Sequence, residues 1–339
     1  MSELVSIAIP VYNRVNLIER TLQSVLNQTY TQIEIVVVDN CSTDGTWNVL
    51  ERIASSDTRL KIFRNNTNIG PVRNWQRAIS ESRGQYLKIL WSDDMLMPTA
   101  IAEMVSAMQP TIAFVYSTVR YVDENNQVYG HILKLNKSGI LSTRQYLTGW
   151  ILENKYPVSA SAALFRREDI VQKFRVNIPN RLDVDFAQEA IGNDLLMFCD
   201  LCSAYPSFYV IETPLVCFGT QADSISISTS REKLKARYWL AMCRFIDECD
   251  DVQLAKLANS RIKAFNIFSK HYNLPIEKLY SINPKLATLN DTMQFLFGIV
   301  RFLGNSLQVK INTTKRFLQG SQYTYIKALY KHTKLKGRS

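Results

Sequence analysis

Between residues 5 and 90, four short apolar runs alternate with stretches whose apolar residues recur at helical spacing. No other feature of the chain constrains its fold as much. The runs are residues 5–10, 33–38, 60–63 and 86–90. The second, IEIVVV, is apolar almost throughout, as suits a strand covered on both faces by helices. Between the runs, Leu22, Val25 and Leu26 mark one helical face behind a proposed cap at Asn16. A second helix covers about 46–55, and a third opens at Pro71 and closes at Gly84. Strand, helix, strand, helix, strand, helix, strand within 95 residues predicts βαβ units in an α/β, mostly parallel, doubly wound sheet.

That topology gathers the polar segments after successive strands on one edge, where open α/β sheets bind ligands. Asn13, Asp39, the 68–74 segment, and Asp93 with Asp94 become neighbours across 80 residues of sequence. Two adjacent carboxylates at a strand's carboxyl end suit a divalent cation that also takes oxygens from a substrate's phosphates. The plainer reading is that Asp93 caps the next helix, with Pro98 in its first turn. Asp44 and Gly45 shape a turn, with Ser42 or Thr43 capping the helix behind it. Asn68 and Gly70 serve either as a loop device or as a ligand wall. Arg73, one helical turn on, can reach a phosphate bidentately or cover a solvated helix face. The loops contain neither GxGxxG nor GxxxxGK[ST], which argues against a dinucleotide oxidoreductase or a P-loop NTPase.

Four pieces in register then carry a resemblance: VSIAIPVYNR, VVVDNCSTDGT, NIGPVRN and the strand-end SDD. Residues 4–100 resemble the family 2 glycosyltransferases with the GT-A fold, of the bacterial surface-polysaccharide type. The resemblance implies that Pro10, Tyr12, Asn13 and Asp39 hold the base and ribose of a nucleoside diphosphate sugar. It places Asn68, Gly70 and Arg73 beside that donor. Asp93 and Asp94 would occupy the family's motif for Mg or Mn and diphosphate, with Asp94 the direct ligand and Asp93 shared between metal and donor. Ser92 stands where many members carry a further Asp, which leaves open which carboxylate faces the sugar.

Further along, residues 99–108 read as a helix, 112–118 as a strand, 123–130 as a hairpin, and 158–165 as a small-residue strand beside an acceptor groove. Residues 183–200 hold Asp183, Asp185, Glu189 and Asp194 ahead of an apolar helix. Inverting sugar transfer needs a base within hydrogen-bond reach of the acceptor hydroxyl. In the resembling family the base opens such a helix, so the resemblance assigns it to Asp194; a plain helix cap is the competing reading. A strand near 208–214, a Pro-Leu pair and a serine-rich loop complete the resemblance near residue 230. Gln221 stands where that loop often has a histidine, so a third protein ligand to the metal is open.

Composition bounds the rest. The net charge of +10 is uneven: residues 1–230 carry 20 Lys and Arg against 23 Asp and Glu, whereas 231–339 carry 20 against 7. This divides the chain into a nucleotide-sugar-binding and catalytic domain, 1–230, and a basic α-helical region, 231–339. Between 270 and 339 basic residues interleave with Phe295, Phe297, Phe302, Phe317, Tyr323, Tyr325 and Tyr330, a pattern that fits docking on an anionic membrane surface; packing on the catalytic domain is the alternative. No uncharged apolar run is long enough to span a bilayer, and the N-terminus lacks a signal peptide's basic start. The expectation is a cytoplasmic protein, peripheral on the inner face of the cell membrane. Cys199 and Cys202 read as core thiols rather than half of a metal site, and three scattered histidines suggest no metal site.

Together these features predict a hexosyl- or deoxyhexosyl-type inverting glycosyltransferase. Its donor would be a nucleoside diphosphate sugar and its acceptor a hydroxyl of a saccharide, lipid-linked in cell-surface polysaccharide synthesis. The alternative is a non-catalytic sugar-nucleotide-binding subunit. A nucleic-acid partner is not expected, because the tail lacks recognisable modules and the front half is acidic.

Overall fold

A computed structural model describes residues 3–268 apart from 124–126, 134–137, 154–157, 181 and 222. In chain order the elements are β1 (Val5–Val11), α1 (Ile18–Leu26), β2 (Ile33–Asp39), α2 (Thr46–Ala54), β3 (Leu60–Arg64), α3 (Pro71–Glu81), β4 (Tyr86–Ile89), β5 (Met95–Leu96) and α4 (Ala100–Ser106). There follow β6 (Ile112–Val122), β7 (Val128–Leu133), β8 (Gly139–Ser142), α5 (Thr143–Glu153), a 3-10 turn (Ala160–Ala162), β9 (Ala163–Arg166), α6 (Arg167–Lys173), α7 (Phe186–Glu189) and α8 (Asn193–Ala204). The series closes with β10 (Ser207–Gly219), α9 (Ile225–Ser228), α10 (Arg231–Glu248) and α11 (Val252–Phe268). Met1–Cys249 form one compact unit and Asp250–Ser339 a second, of which the structure describes α11. The first unit therefore continues past residue 230 through α10.

The sheet has ten strands in the order β3-β2-β1-β4-β9-β6-β10-β5, with β7 on β6 and β8 on β10. Its first four strands are parallel, joined through helices as the alternation predicts. The second half is mixed: β9 runs antiparallel to β4 and to β6, while β6 and β10 are parallel. Strand β1 lies between β2 and β4, so consecutive connections leave it in opposite directions and open a crevice at its carboxyl end. There Val11, Asp39 and Arg64 stand side by side in register. Strands β1 and β2 are buried at every position, which is why their sequences do not alternate.

Behind β6 an aromatic cluster sets the position of α8. Phe114 stacks on Phe208 at 5.1 Å and meets Phe198 edge-on at 4.7 Å, with Tyr146 and Phe165 closing the group. Helix α8 is buried on all sides from Asn193 to Cys202. Cys199 and Cys202 are free, buried thiols of this core, and all six cysteines are free.

Several local expectations change. Helix α1 starts after Leu17, without a side-chain cap from Asn16. Asp93 caps no helix, because α4 begins at Ala100 behind Thr99. Helix α2 is entered through Gly45 in a left-handed conformation; Asp44, rather than Ser42 or Thr43, binds the Thr46 amide and hydroxyl. Ser42 is engaged instead by Asp39. Residues 158–165 divide between the 3-10 turn and β9, because Ala and Ser there adapt to a tight turn as readily as to a strand.

Candidate active site

The cleft at the β1–β4 crevice has a volume of about 380 Å3 and is lined by Pro10, Asp93, Asp94 and Asp194 among others. Three carboxylates from two distant segments thus face one space. Asp94 is buried and its Oδ1 accepts the Gly219 amide at 3.1 Å. Gly219 ends β10 hard against the turn: a Cβ there would sit 2.3 Å from the Asp93 carbonyl oxygen. Only glycine permits that approach, so the end of β10 sets the Asp-Asp turn. Arg20 donates to the same carbonyl at 3.2 Å, and Thr21 Oγ1 donates to the Ser92 carbonyl at 3.1 Å.

The second oxygen of Asp94, Oδ2, is enclosed without a hydrogen-bond partner among the described residues. Burial, and next the Asp93 charge, push the Asp94 carboxyl well above the usual range; burial also raises Asp93, against Arg14 and Arg20. A buried carboxylate that the Ser161 hydroxyl, the Gly219 amide and Lys88 stabilise too little to offset burial, beside a second carboxylate, suits a divalent cation, which would stabilise both ionised forms. No group of three His, Cys, Asp or Glu side chains among the described residues is close enough together to hold a metal ion. The pair therefore fits a cation whose other ligands come from substrate and water.

Asp194 lies in the first turn of α8 and is not its cap, which is Gly192 at φ 108°. Its Oδ1 accepts the Leu195 amide at 2.8 Å and its Oδ2 the Tyr238 hydroxyl at 3.4 Å. With only 9% of its surface exposed, desolvation outweighs these bonds and pushes its carboxyl up to about 7. A helix N-terminus alone would act the other way. The neighbouring acids are committed elsewhere: Asp185 caps α7 through the Ala187 and Gln188 amides, and Glu189 takes a bidentate contact from Arg237 at 2.6 and 3.1 Å. Asp183 sits at φ 51°, in a turn that Asn180 holds through the Leu182 and Val184 amides.

The other sequence-derived residues do not line this cleft. Asp39 is fully buried, with its carboxylate bound by the Ser42 amide and hydroxyl and paired with Arg64 at 3.2 Å. Ser42 in turn accepts the Asn13 amide, and Asn13 Oδ1 accepts the Thr43 amide, so Asp39 locks the loop after β2 to the loop after β1. Tyr12 is 42% exposed. Asn68 Oδ1 accepts from Asn40 and from the Gly70 amide, and Asn40 also binds the Ile69 amide and Asn65. Arg73 opens into a separate depression with Ile69, Gln76 and Asn177.

Some lining residues escaped sequence reasoning. Arg14 enters the cleft from the end of VYNR and pairs with Asp223 at 2.7 Å. Trp75 and Trp91 lie 4.5 Å apart at one wall, and Trp91 donates to Ser159 Oγ at 3.1 Å. Behind the lining, Lys88, fully buried on the strand leading to Asp94, donates to the Ser161 and Ala163 carbonyls and is pushed down to about 7 by burial. Trp91 and Arg14 adjoin motifs that the sequence displays, whereas Tyr238 has no local signal at all.

The family described as Glycosyl transferase family 2 matches residues 6–172, which contain the rim of β1, β2 and β4 and the Asp-Asp turn. Over these residues, just under half of its length, the chain is similar to the family 2 glycosyltransferases. Among curated relatives, a UDP-Glc:alpha-D-GlcNAc-diphosphoundecaprenol beta-1,3-glucosyltransferase of Escherichia coli is 34% identical over 128 residues, covering 38% of this chain and 50% of that protein. The chain thus spans about half the length of that relative. A GalNAc(5)-diNAcBac-PP-undecaprenol beta-1,3-glucosyltransferase of Campylobacter jejuni is 23% identical over 309 residues, 91% of this chain and 89% of that one. A mannosyltransferase of Pyrobaculum calidifontis, solved with GDP-Man and Mn2+, superposes with a TM-score of 0.53 at 18% identity over 89% of this chain and 81% of its own. The fold of the chain is GT-A.

Proposed function

We propose that this glycosyltransferase moves one sugar, with inversion, from a nucleoside diphosphate sugar to a hydroxyl of a saccharide acceptor, the acceptor being lipid-linked. The observation that carries the reading is that Asp194 and the Asp93–Asp94 pair line one cleft although a hundred residues separate them. The relatives described above, whose names specify diphosphoundecaprenol-linked acceptors, support the lipid-linked part.

In this reading Asp194 accepts the proton of the acceptor hydroxyl at a carboxylate oxygen. The hydroxyl oxygen forms its bond to the anomeric carbon while the bond from that carbon to the diphosphate breaks. A group raised to about 7 is half ionised at neutral pH and is a stronger base than an ordinary carboxylate. Mg or Mn bound by Asp94 and Asp93 would neutralise the departing diphosphate. Arg14 is freed from Asp223 to meet a phosphate oxygen, exchanging one anion for another. Pro10 supports the donor directly. Tyr12, Asn13, Asp39, Asn68 and Gly70 act as the frame that holds the nucleoside side of the rim. Arg73 belongs with the solvated helix face, given the separate depression it lines.

Trp75 and Trp91 offer the acceptor a flat apolar surface in the same cleft as Asp194. Pyranose rings present one face of C–H groups, which an indole covers well. Trp91 directly precedes the Ser92–Asp94 turn, so an acceptor on that surface is held in register with the donor's diphosphate.

The test is a panel of UDP, GDP, dTDP and CDP sugars, with and without Mn, followed by transfer to lipid-linked saccharide acceptors. The reading expects a metal-dependent binder that also transfers. A donor that binds but never yields sugar to any acceptor or to water would instead favour the binding-subunit alternative, to which Ser92 and Gln221 point.

A further inference from the structure

Helix α10 lies beyond the residues matched to the family and beyond the 1–230 catalytic region expected from the sequence, yet it reaches the cleft. Leu234 and Tyr238 line the cleft with Asp194. Three further contacts tie α10 to the turn that carries Asp194. Arg237 grips Glu189 with two bonds, and Lys233 adds a third at 3.3 Å. Gly192, which opens α8, meets α10 without a gap: a Cβ there would lie 2.9 Å from the Ala241 Cβ and 3.2 Å from the Arg237 carbonyl oxygen. Ala190 and Gly192 both adopt left-handed conformations, so the turn between α7 and α8 is bent tightly under α10. Trp239, packed edge-on against Trp150 of α5 at 5.2 Å, anchors the helix from its other side.

We propose that α10 is part of the active site, with Tyr238 the positioning residue whose hydroxyl donates to Asp194 Oδ2 and directs the carboxylate, and with Glu189 and Arg237 the brace that sets their separation. The inference rests on the reading of Asp194 as the base. The Leu195, Gly192 and Asp194 amides also act on the carboxylate, and Tyr238 is the side chain that reaches its second oxygen. A brace is needed because a base displaced by an ångström loses much of its effect.

A hydroxyl that donates to a carboxylate stabilises its ionised form. Removing it should move the Asp194 titration to higher pH. Around Asp194 the groups that titrate or carry charge are Tyr238 from α10, Tyr146 from α5, and Asp93, Asp94, Arg14 and Tyr121 lining the same cleft. Beside it Glu189 pairs with both Arg237 and Lys233, leaving one net positive charge.

The experiment compares the full chain with Tyr238→Phe in two ways. Carboxyl-labelled aspartate is titrated by NMR, with Asp194 assigned by its absence in Asp194→Asn, and transfer is measured across pH. The expected result is an Asp194 midpoint near 7 that rises by about half a unit to one unit in the variant. The acidic limb of the rate profile should rise with it, while donor affinity stays as in the parent. Glu189→Gln, which weakens the brace and leaves Arg237 and Lys233 without their shared counter-ion, should lower turnover roughly tenfold without moving the limb to higher pH. An unmoved midpoint in Tyr238→Phe overturns the inference, even where transfer itself is intact. A moved midpoint in a protein that transfers no sugar upholds the contact and sinks the reading beneath it. If Tyr238→Phe unfolds, undiminished turnover in Glu189→Gln overturns the inference by itself.

Discussion

At the scale of single residues, the chemistry rests on carboxylates kept out of water. Asp194 is raised to about 7 by burial, so the folded protein retains a proton there that the unfolded chain releases above pH ~4. Stability contributed at this position is full below pH ~4 and is lost as pH rises toward 7. Asp194→Asn is therefore expected to melt several degrees above the parent at pH 8 and close to it at pH 4, which calorimetric scans at the two pH values would check. The parent's kcat/KM should rise with pH through a midpoint near 7, because the ionised form is the base. Asp94→Ala removes the oxygen that lacks a partner, and calorimetry should show that metal-dependent donor binding is abolished. Trp75→Ala should raise the KM for acceptor while donor affinity is unchanged; an unchanged acceptor KM would remove the indole pair from the acceptor side.

At the scale of elements, glycines decide what may approach the site. Gly219→Ala would force β10 and the Asp93 carbonyl apart, and should reduce metal-dependent donor binding together with stability. Gly192→Ala meets both a left-handed φ of 108° and the Ala241 side chain, so a drop in melting temperature with loss of turnover is expected. The apolar runs that became β1, β2 and β4 were legible because a buried parallel strand leaves an unbroken apolar signature. The acids at their ends were legible because topology alone brings such ends together. Helix starts were less so: Asn16, Ser42 and Thr43 are all good caps by residue type, but Asp39 and the Asn13 amide engage Ser42, α1 starts after Leu17 without a side-chain cap, and α2 is entered through the left-handed conformation of Gly45. Tyr238 illustrates the limit of local reading, since it reaches Asp194 across 44 residues and a helix junction, leaving no mark in its own neighbourhood.

At the scale of the whole molecule, we propose that the acidic front and the basic tail divide two tasks: sugar transfer, and attraction to an anionic surface. The interleaved basic and aromatic residues from 270 onward, including the apolar stretch 293–303, lie outside the described residues, and no described helix is long and apolar enough to cross a membrane. Membrane docking by this tail is a proposal with its own test. Deleting residues from about 290 should abolish sedimentation with anionic liposomes, and undiminished sedimentation would return the tail to a packing role. The central claim concerns the cleft alone, where a base on one segment faces a cation-binding pair on another. Its most direct test is the turnover of Asp194→Asn at saturating donor and metal. The account predicts a loss of roughly 10² to 10⁴-fold with donor affinity nearly intact; turnover equal to the parent's would contradict it.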